Sequence, residues 1–236
     1  MPDRTDAPVT LITGGSTGIG AATVSRLLDA GHRVTATGRD AGKLDALAGE
    51  LDAGDRLLLV AGDTAEPEHV RQAVDRTVGR WGRLDAAVAN AGFSSLGTVA
   101  DMDPEDMRSM VATNVLGPSL LVRESLPHLK VTKGRIVLVG SVAGVKNSPG
   151  SLYSVTKWAV HALAENTRML VTGDGVGVTL IAPGKVDTPF WETRGGTPEG
   201  PVMTSEDIAR AIAFALDQPA GLDVNHIQLR PLGQPN

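Results

Sequence analysis

The chain has 236 residues, 42% of them apolar and 21% charged, which allows a sizeable core in one domain or two small ones. A formal net charge of −5 argues against a nucleic-acid partner, because phosphate binding needs clustered cations and none occur here. The absence of cysteine excludes disulfides, thiolate nucleophiles and thiolate metal sites.

The opening Met1-Pro2-Asp3-Arg4-Thr5-Asp6 carries acids where a secretory leader carries positive charge. No run approaches the ~18 apolar residues of a membrane helix. The expectation is a cytoplasmic protein with no membrane partner. From there, short β-branched runs alternate with helical patterns.

The first strand, Val9–Thr13, runs directly into Thr13-Gly14-Gly15-Ser16-Thr17-Gly18-Ile19-Gly20 and a helix over 18–30. Gly14 permits a sharp turn, Gly18 lets the backbone approach a pyrophosphate, and Gly20 lets helix and strand pack closely. A glycine-rich turn alone is common punctuation, but its place between a strand and a helix points to dinucleotide binding. The second strand, Arg33–Thr37, ends at Gly38-Arg39-Asp40. Gly38 stands where an acid would bond the ribose hydroxyls of NAD, and the Arg39 fork suits the 2′-phosphate of NADP(H). The other reading is a solvated Arg39, with Asp40 serving the ribose.

A helix over 40–51, a strand Arg56–Val60, a helix over 66–80 and a strand Leu84–Ala89 follow. A long helix over 103–129 contains Asn114 and, four residues on, Pro118. Proline cannot donate to the carbonyl four back, so the Asn114 carbonyl is freed to hold a water, or the helix simply kinks there for packing. The strand Arg135–Gly140 ends at Ser141, whose hydroxyl lies at the carboxyl edge of the sheet, where it can bond a substrate oxygen or merely shape a turn. Tyr153, the one tyrosine, and Lys157 lie four apart on a helix over 151–172 and share a face. A phenol titrates near ~10; a neighbouring ammonium favours the phenolate and makes it a usable general acid or base. An exposed Tyr and Lys side by side is the plain alternative.

A strand Val176–Ile181, an aperiodic segment 190–203, a helix over 204–217 and a strand Val224–Arg230 complete the chain. Segment 190–203 reads as a substrate lid or an ordinary surface loop. The alternation predicts a single α/β domain over 1–236, with parallel strands joined by right-handed crossovers and helices on both faces. Phe93, Val145, Lys146, Phe190 and Trp191 are expected to wall an apolar pocket. Lys146, Lys185 and Arg194 could meet a carboxylate there. The five histidines show no metal-ligand spacing, and His161 with Glu165 reads as a surface pair, so no metal is expected.

Thr-Gly-x-x-x-Gly-x-Gly at 13–20, Asn90-Ala91-Gly92, Asn114, Ser141, Tyr153-x-x-x-Lys157 and Pro183-Gly184 resemble the single-domain short-chain dehydrogenases/reductases over essentially the whole chain. The resemblance implies a Rossmann-like, doubly wound sheet of about seven parallel strands. It implies hydride exchange between NADP(H) and a small ketone or secondary alcohol. Tyr153 would be the acid/base, Ser141 the orienting hydroxyl and Asn114 the site of a relay water. Lys157 would hold the nicotinamide ribose. Asn90 would brace the sheet, and Asp63 and Thr64 would lie at the adenine. Thr13, Gly14, Ser16, Thr17, Gly18, Ile19, Gly20, Arg39, Ala91, Gly92, Pro183, Gly184, Val186 and Thr188 would complete the cofactor site.

A homodimer or homotetramer through helices 103–129 and 151–172 is also implied. The interval from Ser141 to Tyr153 is one residue shorter than is common in the family. The tail, Asp223-Val224-Asn225-His226-Ile227 to Arg230-Pro231, resembles NADP-dependent 3-hydroxy acid (serine) dehydrogenases, an alternative substrate class. A catalytically silent NADP-binding regulator is the alternative outside enzymes, and the intact Ser141, Tyr153, Lys157 and Asn114 speak against it.

Overall fold

The computed structural model describes residues 7–197 and 199–234. Seven strands form one sheet: β1 (Val9–Thr13), β2 (Arg33–Gly38), β3 (Leu57–Ala61), β4 (Ala86–Ala89), β5 (Arg135–Val139), β6 (Gly177–Pro183) and β7 (His226–Leu229). Their order is β3-β2-β1-β4-β5-β6-β7, and every neighbouring pair is parallel. The order reverses between β1 and β4. That is the switch point at which open α/β sheets leave a crevice beyond the strands' carboxyl ends.

Period-two alternation builds two cores. Ile12, Val88, Val137 and Ile181 pack with Leu27, Leu44 and Ile212 of α1 (Gly18–Asp29), α2 (Ala41–Glu50) and α7 (Ser205–Leu216). Leu11, Ala87, Leu138 and Leu180 pack with Val74, Leu121 and Val160 of α3 (Pro67–Trp81), α5 (Gly117–Thr132) and α6 (Leu152–Val171) on the other face. The central strands are therefore apolar on successive residues.

Two strands start two residues later than their apolar runs predict, in each case just after an aspartate that bonds the neighbouring strand. Asp85 uses a carboxylate oxygen to accept the Val9 N–H (2.8 Å), and Asp223 accepts the Val178 N–H (3.0 Å). These side-chain bonds stand just ahead of β4, which begins at Ala86, and β7, which begins at His226. The expected single helix over 103–129 is three pieces: α4 (Pro104–Val111), a π turn (Ala112–Leu116) and α5. Pro118 has no N–H for Asn114, and the Gly117 N–H reaches back five residues to the Ala112 carbonyl. The kink is thus a local widening. Among the described residues, no helix is long and apolar enough to cross a membrane.

Burial draws the His32 and His161 imidazoles below their ordinary value of 6.5, so both resist protonation in the folded state. The unfolded chain binds those protons first. Stability is therefore fully present above about pH 6.5 and falls as pH drops below it. Chemical denaturation between about pH 7.5 and 5.5 should show this loss, and His32→Gln should reduce it.

Candidate active site

A cleft of about 780 Å³ opens over the switch point, within the size range of small-molecule and cofactor sites. Its floor is set by two asparagine braces. Asn90 Nδ2 donates to the Thr13 carbonyl (3.1 Å) and the Gly14 carbonyl (2.9 Å), joining the ends of β4 and β1. Thr13 Oγ1 accepts the Asn90 and Ala91 N–H groups at 3.2 and 3.3 Å. Gly14 has a positive φ of 64°, and a Cβ there would lie 2.8 Å from the Ala91 Cα. A Cβ at Gly20 would land on the Gly14 carbonyl oxygen. This glycine cradle at the N-terminus of α1 leaves backbone, not side chain, facing the cleft, which fits a pyrophosphate.

The second brace lies across the cleft. Asn114 is 1% exposed, in the π turn. Its Oδ1 accepts the Phe93 N–H (3.0 Å), and its Nδ2 donates to the Phe93 carbonyl (2.8 Å) and to Thr156 Oγ1 (3.1 Å). Both the oxygen and the nitrogen of the amide are engaged by protein groups. The main-chain carbonyl, which Pro118 leaves without its usual donor, is an acceptor to which a water can bond.

Tyr153 and Lys157 occupy one stripe of α6 and both line the cleft. Ser151 caps the helix by accepting the Ser154 N–H at 3.1 Å. Lys157 is 5% exposed, and its Nζ donates to the Val139 carbonyl at the end of β5 (2.9 Å). The ammonium sits 5.8 Å from the Tyr153 ring centroid. Loss of solvent lowers its pKa from 10.5 to about 8. The Tyr153 ring packs against Phe190, with centroids 5.5 Å apart. Ser141 lies in the same lining at the mouth of β5. Its Oγ accepts the Ala143 N–H (3.1 Å) and lies 3.4 Å from the Pro183 carbonyl as donor.

Of the remaining expected residues, Gly14, Ser16, Thr17, Gly18, Ile19, Arg39, Asp63, Thr64, Asn90, Ala91, Gly92, Pro183, Gly184, Val186 and Thr188 line the cleft. Thr13, Gly20 and Asn114 stand behind that lining and shape it through the contacts above. Phe93, Lys146, Phe190 and Trp191 line the same cleft; Val145 does not, and it turns to solvent instead. Lys185 lines the cleft and donates to the Glu199 carbonyl (3.2 Å). The Arg194 side chain and residue 198 of the expected lid lie outside the described residues. This segment runs from a 3-10 helix, Pro189–Arg194, to Met203, which forms a bridge with Val186. The tail residues from Asp217 to Pro231 do not line the cleft, so the tail's likeness to serine dehydrogenases concerns the sheet edge.

His161 is not a surface partner of Glu165. Glu165 pairs with Arg168, and His161 turns inward toward the Ser141 carbonyl. Ser154 also escapes the motif reading. Its Oγ lies 2.7 Å from the Ala143 carbonyl and 2.9 Å from the Lys146 carbonyl, tying the Ser141 segment to α6. Ser154 lies three residues before Lys157 and His161 four after it, so the spacing puts all three on one side of the helix, but it does not say what that side faces.

A parallel doubly wound sheet with a glycine-rich cleft at its switch point is a Rossmann-like architecture. The family model described as short chain dehydrogenase matches residues 8–198, and the chain belongs to that family. It is 31% identical to an uncharacterized oxidoreductase of Staphylococcus saprophyticus over 95% of this chain and 97% of that one. Among solved structures it superposes on an alcohol dehydrogenase of the archaeon Thermococcus sibiricus complexed with 5-hydroxy-NADP. The TM-score is 0.90 at 27% identity, covering 98% of this chain and 99% of that chain. It also matches a 3-ketoacyl-(acyl-carrier-protein) reductase of Brucella melitensis complexed with NADH, with TM-score 0.87, 26% identity and coverage of 96% and 98%.

Asn114→Ala removes the partners of the half-buried Phe93 N–H and carbonyl. A fully buried group left unpaired costs about 1–3 kcal/mol and access to the cleft's water lowers that, so urea denaturation should show a loss of about 1–2 kcal/mol. An unchanged midpoint would mean that the brace carries no weight.

Proposed function

We propose that this oxidoreductase interconverts a ketone and a secondary alcohol with NADP(H), using Tyr153 as acid/base. One observation carries the reading: a phenol and a buried ammonium share a helical stripe and face the same cleft as Ser141. When bound, the nicotinamide supplies or receives the hydride. In the reducing direction, the Ser141 and Tyr153 hydroxyls donate hydrogen bonds to the substrate oxygen. Tyr153 gives its proton to the developing alkoxide, and the Lys157 ammonium stabilises the resulting phenolate. Lys157 and a water at the Asn114 carbonyl return the proton. Preorganised donors of this kind act where charge develops.

The preference for NADP(H) rests on the end of β2. Gly38 offers no carboxylate to the ribose, and a Cβ there would lie 3.0 Å from Ser16 Oγ, so a larger residue would have to displace that hydroxyl. Asp40 is occupied as the N-cap of α2, accepting the Lys43 N–H at 3.1 Å. Arg39 is exposed at the rim and forms no salt bridge among the described residues. It supports recognition of a 2′-phosphate. Phe93, Met102, Leu152, Phe190 and Trp191 suit a substrate with an apolar body.

NADPH absorbance followed with acetophenone, ethyl acetoacetate, acetoacetate, serine with NADP, and secondary alcohols tests the activity. Tyr153→Phe should lower turnover by about a hundred-fold or more and leave NADPH affinity nearly intact. Full activity in that variant refutes the assignment. Turnover of no compound favours a silent binding protein. Arg39→Ala should weaken NADPH binding about ten-fold, a charge-assisted contact of ~1.4 kcal/mol, without weakening NADH. Equal affinities of the native chain for the two cofactors in fluorescence titration would refute the preference.

A further inference from the structure

Helical spacing puts a third residue on the stripe of α6 that carries Tyr153 and Lys157. His161 follows Lys157 by the same four positions. It points beneath Ser141, with its Nε2 3.0 Å from the Ser141 carbonyl oxygen. A carbonyl only accepts, so this nitrogen carries the hydrogen and the contact fixes the tautomer.

The surrounding chain is shaped around the ring. A Cβ on Gly144 would lie 2.5 Å from both Nε2 and Cδ2, and one on Gly140 would lie 2.9 Å from Nε2. Glycine on both sides of the Ser141 segment therefore admits the imidazole. The titratable groups facing it are Lys157 from its own helix and His226 from β7, whose ring meets it edge-on at 5.6 Å. Burial is the largest effect on the imidazole and lowers its pKa; the Ser141 carbonyl opposes it, His226 and Lys157 add to it, and the net effect is to hold the ring below its ordinary value of 6.5.

We propose that His161 is a positioning residue: its Nε2–H holds the Ser141 main chain so that Oγ stays aimed at the substrate oxygen. The inference rests on the role of Ser141 proposed above. Ser154 anchors the far side of the same segment through the Ala143 and Lys146 carbonyls. The two clamps leave the serine little freedom. Ser141 is fully extended, with φ −172° and ψ 158°, so the orientation of its carbonyl sets the direction of its Cα–Cβ bond.

The test uses the full chain, NADPH and whichever carbonyl of the panel turns over fastest. His161→Leu fills the same space without a donor, His161→Gln restores a donor at the reach of Nε2, and His161→Asn carries one too short to reach. The Leu and Asn variants should lose about ten- to a hundred-fold in kcat, the scale set by a small misplacement of a reacting group. KM for NADPH should stay constant, and Gln should recover activity to within about three-fold of the native chain. In a Ser141→Ala background, His161→Leu should cause no further loss, because two residues acting as one unit are not additive. NMR of histidine labelled with the heavy nitrogen isotope should show His161 as the Nε2–H tautomer.

An Nδ1–H tautomer, native kcat in His161→Leu, or additive losses in the double variant would overturn the proposal. So would equal losses in Leu, Asn and Gln that track a fall in Tm, because packing alone would then explain them. If Ser141→Ala itself keeps native kcat, the serine's role fails instead, and the proposal falls with it. Loss in Ser141→Ala beside native activity in His161→Leu refutes only the clamp.

Discussion

The structure depends on one hydrogen bond that buries a charge. Lys157 leaves water to donate to the carbonyl that closes β5, tying the helix that bears Tyr153 to the strand that delivers Ser141. Removing an ammonium from water is costly, and the fall of its pKa to about 8 reports that cost as a few kcal/mol. Apolar burial of Val160, Ala164 and Val171 along the same helix offsets it. A cation so placed near a phenol has a chemical use that a buried aliphatic residue would lack. Near neutrality it remains largely protonated, so it can stabilise negative charge and also give up a proton.

Around that contact, side chains take over the work of backbone. Asn90 holds the carbonyls at the end of β1 and in the turn after it, and Asn114 holds a carbonyl of the loop after β4. Such groups must be paired somewhere, and fixed amides pair them without adding bulk to the cleft. The π turn belongs to the same logic. It moves the Asn114 amide onto Phe93 and Thr156, while Gly117 packs against Thr64 on the adjoining wall. A regular helix would have no reason to free a carbonyl at that point.

How far the site could be read from the chain varies by residue. Tyr153, Lys157 and Ser141 were legible because helical period and strand ends are local rules, and the glycine-rich turn was legible for the same reason. The kink before Pro118 was legible as a lost donor, but its form was not, since the ladder can break or widen. Val145 was misplaced because a loop has no period to orient its side chains. His161 was misread as a surface residue. Its helix phase was correct, but whether that phase faced water or the Ser141 loop depended on a distant strand.

Alternation of strands and helices, written in local periodicity and turn chemistry, determined the doubly wound sheet and the elements that bear the reactive groups. Its strand order put the carboxyl ends of β1, β4 and β5 around one crevice. Only the packed molecule decided which of those groups lose water, which amides are spent on the backbone, and which glycines make room for a ring. These outcomes turn on contacts between residues far apart in the chain, such as Lys157 with Val139 or Asn114 with Phe93. Desolvation belongs to the assembled interior, and no segment carries it alone.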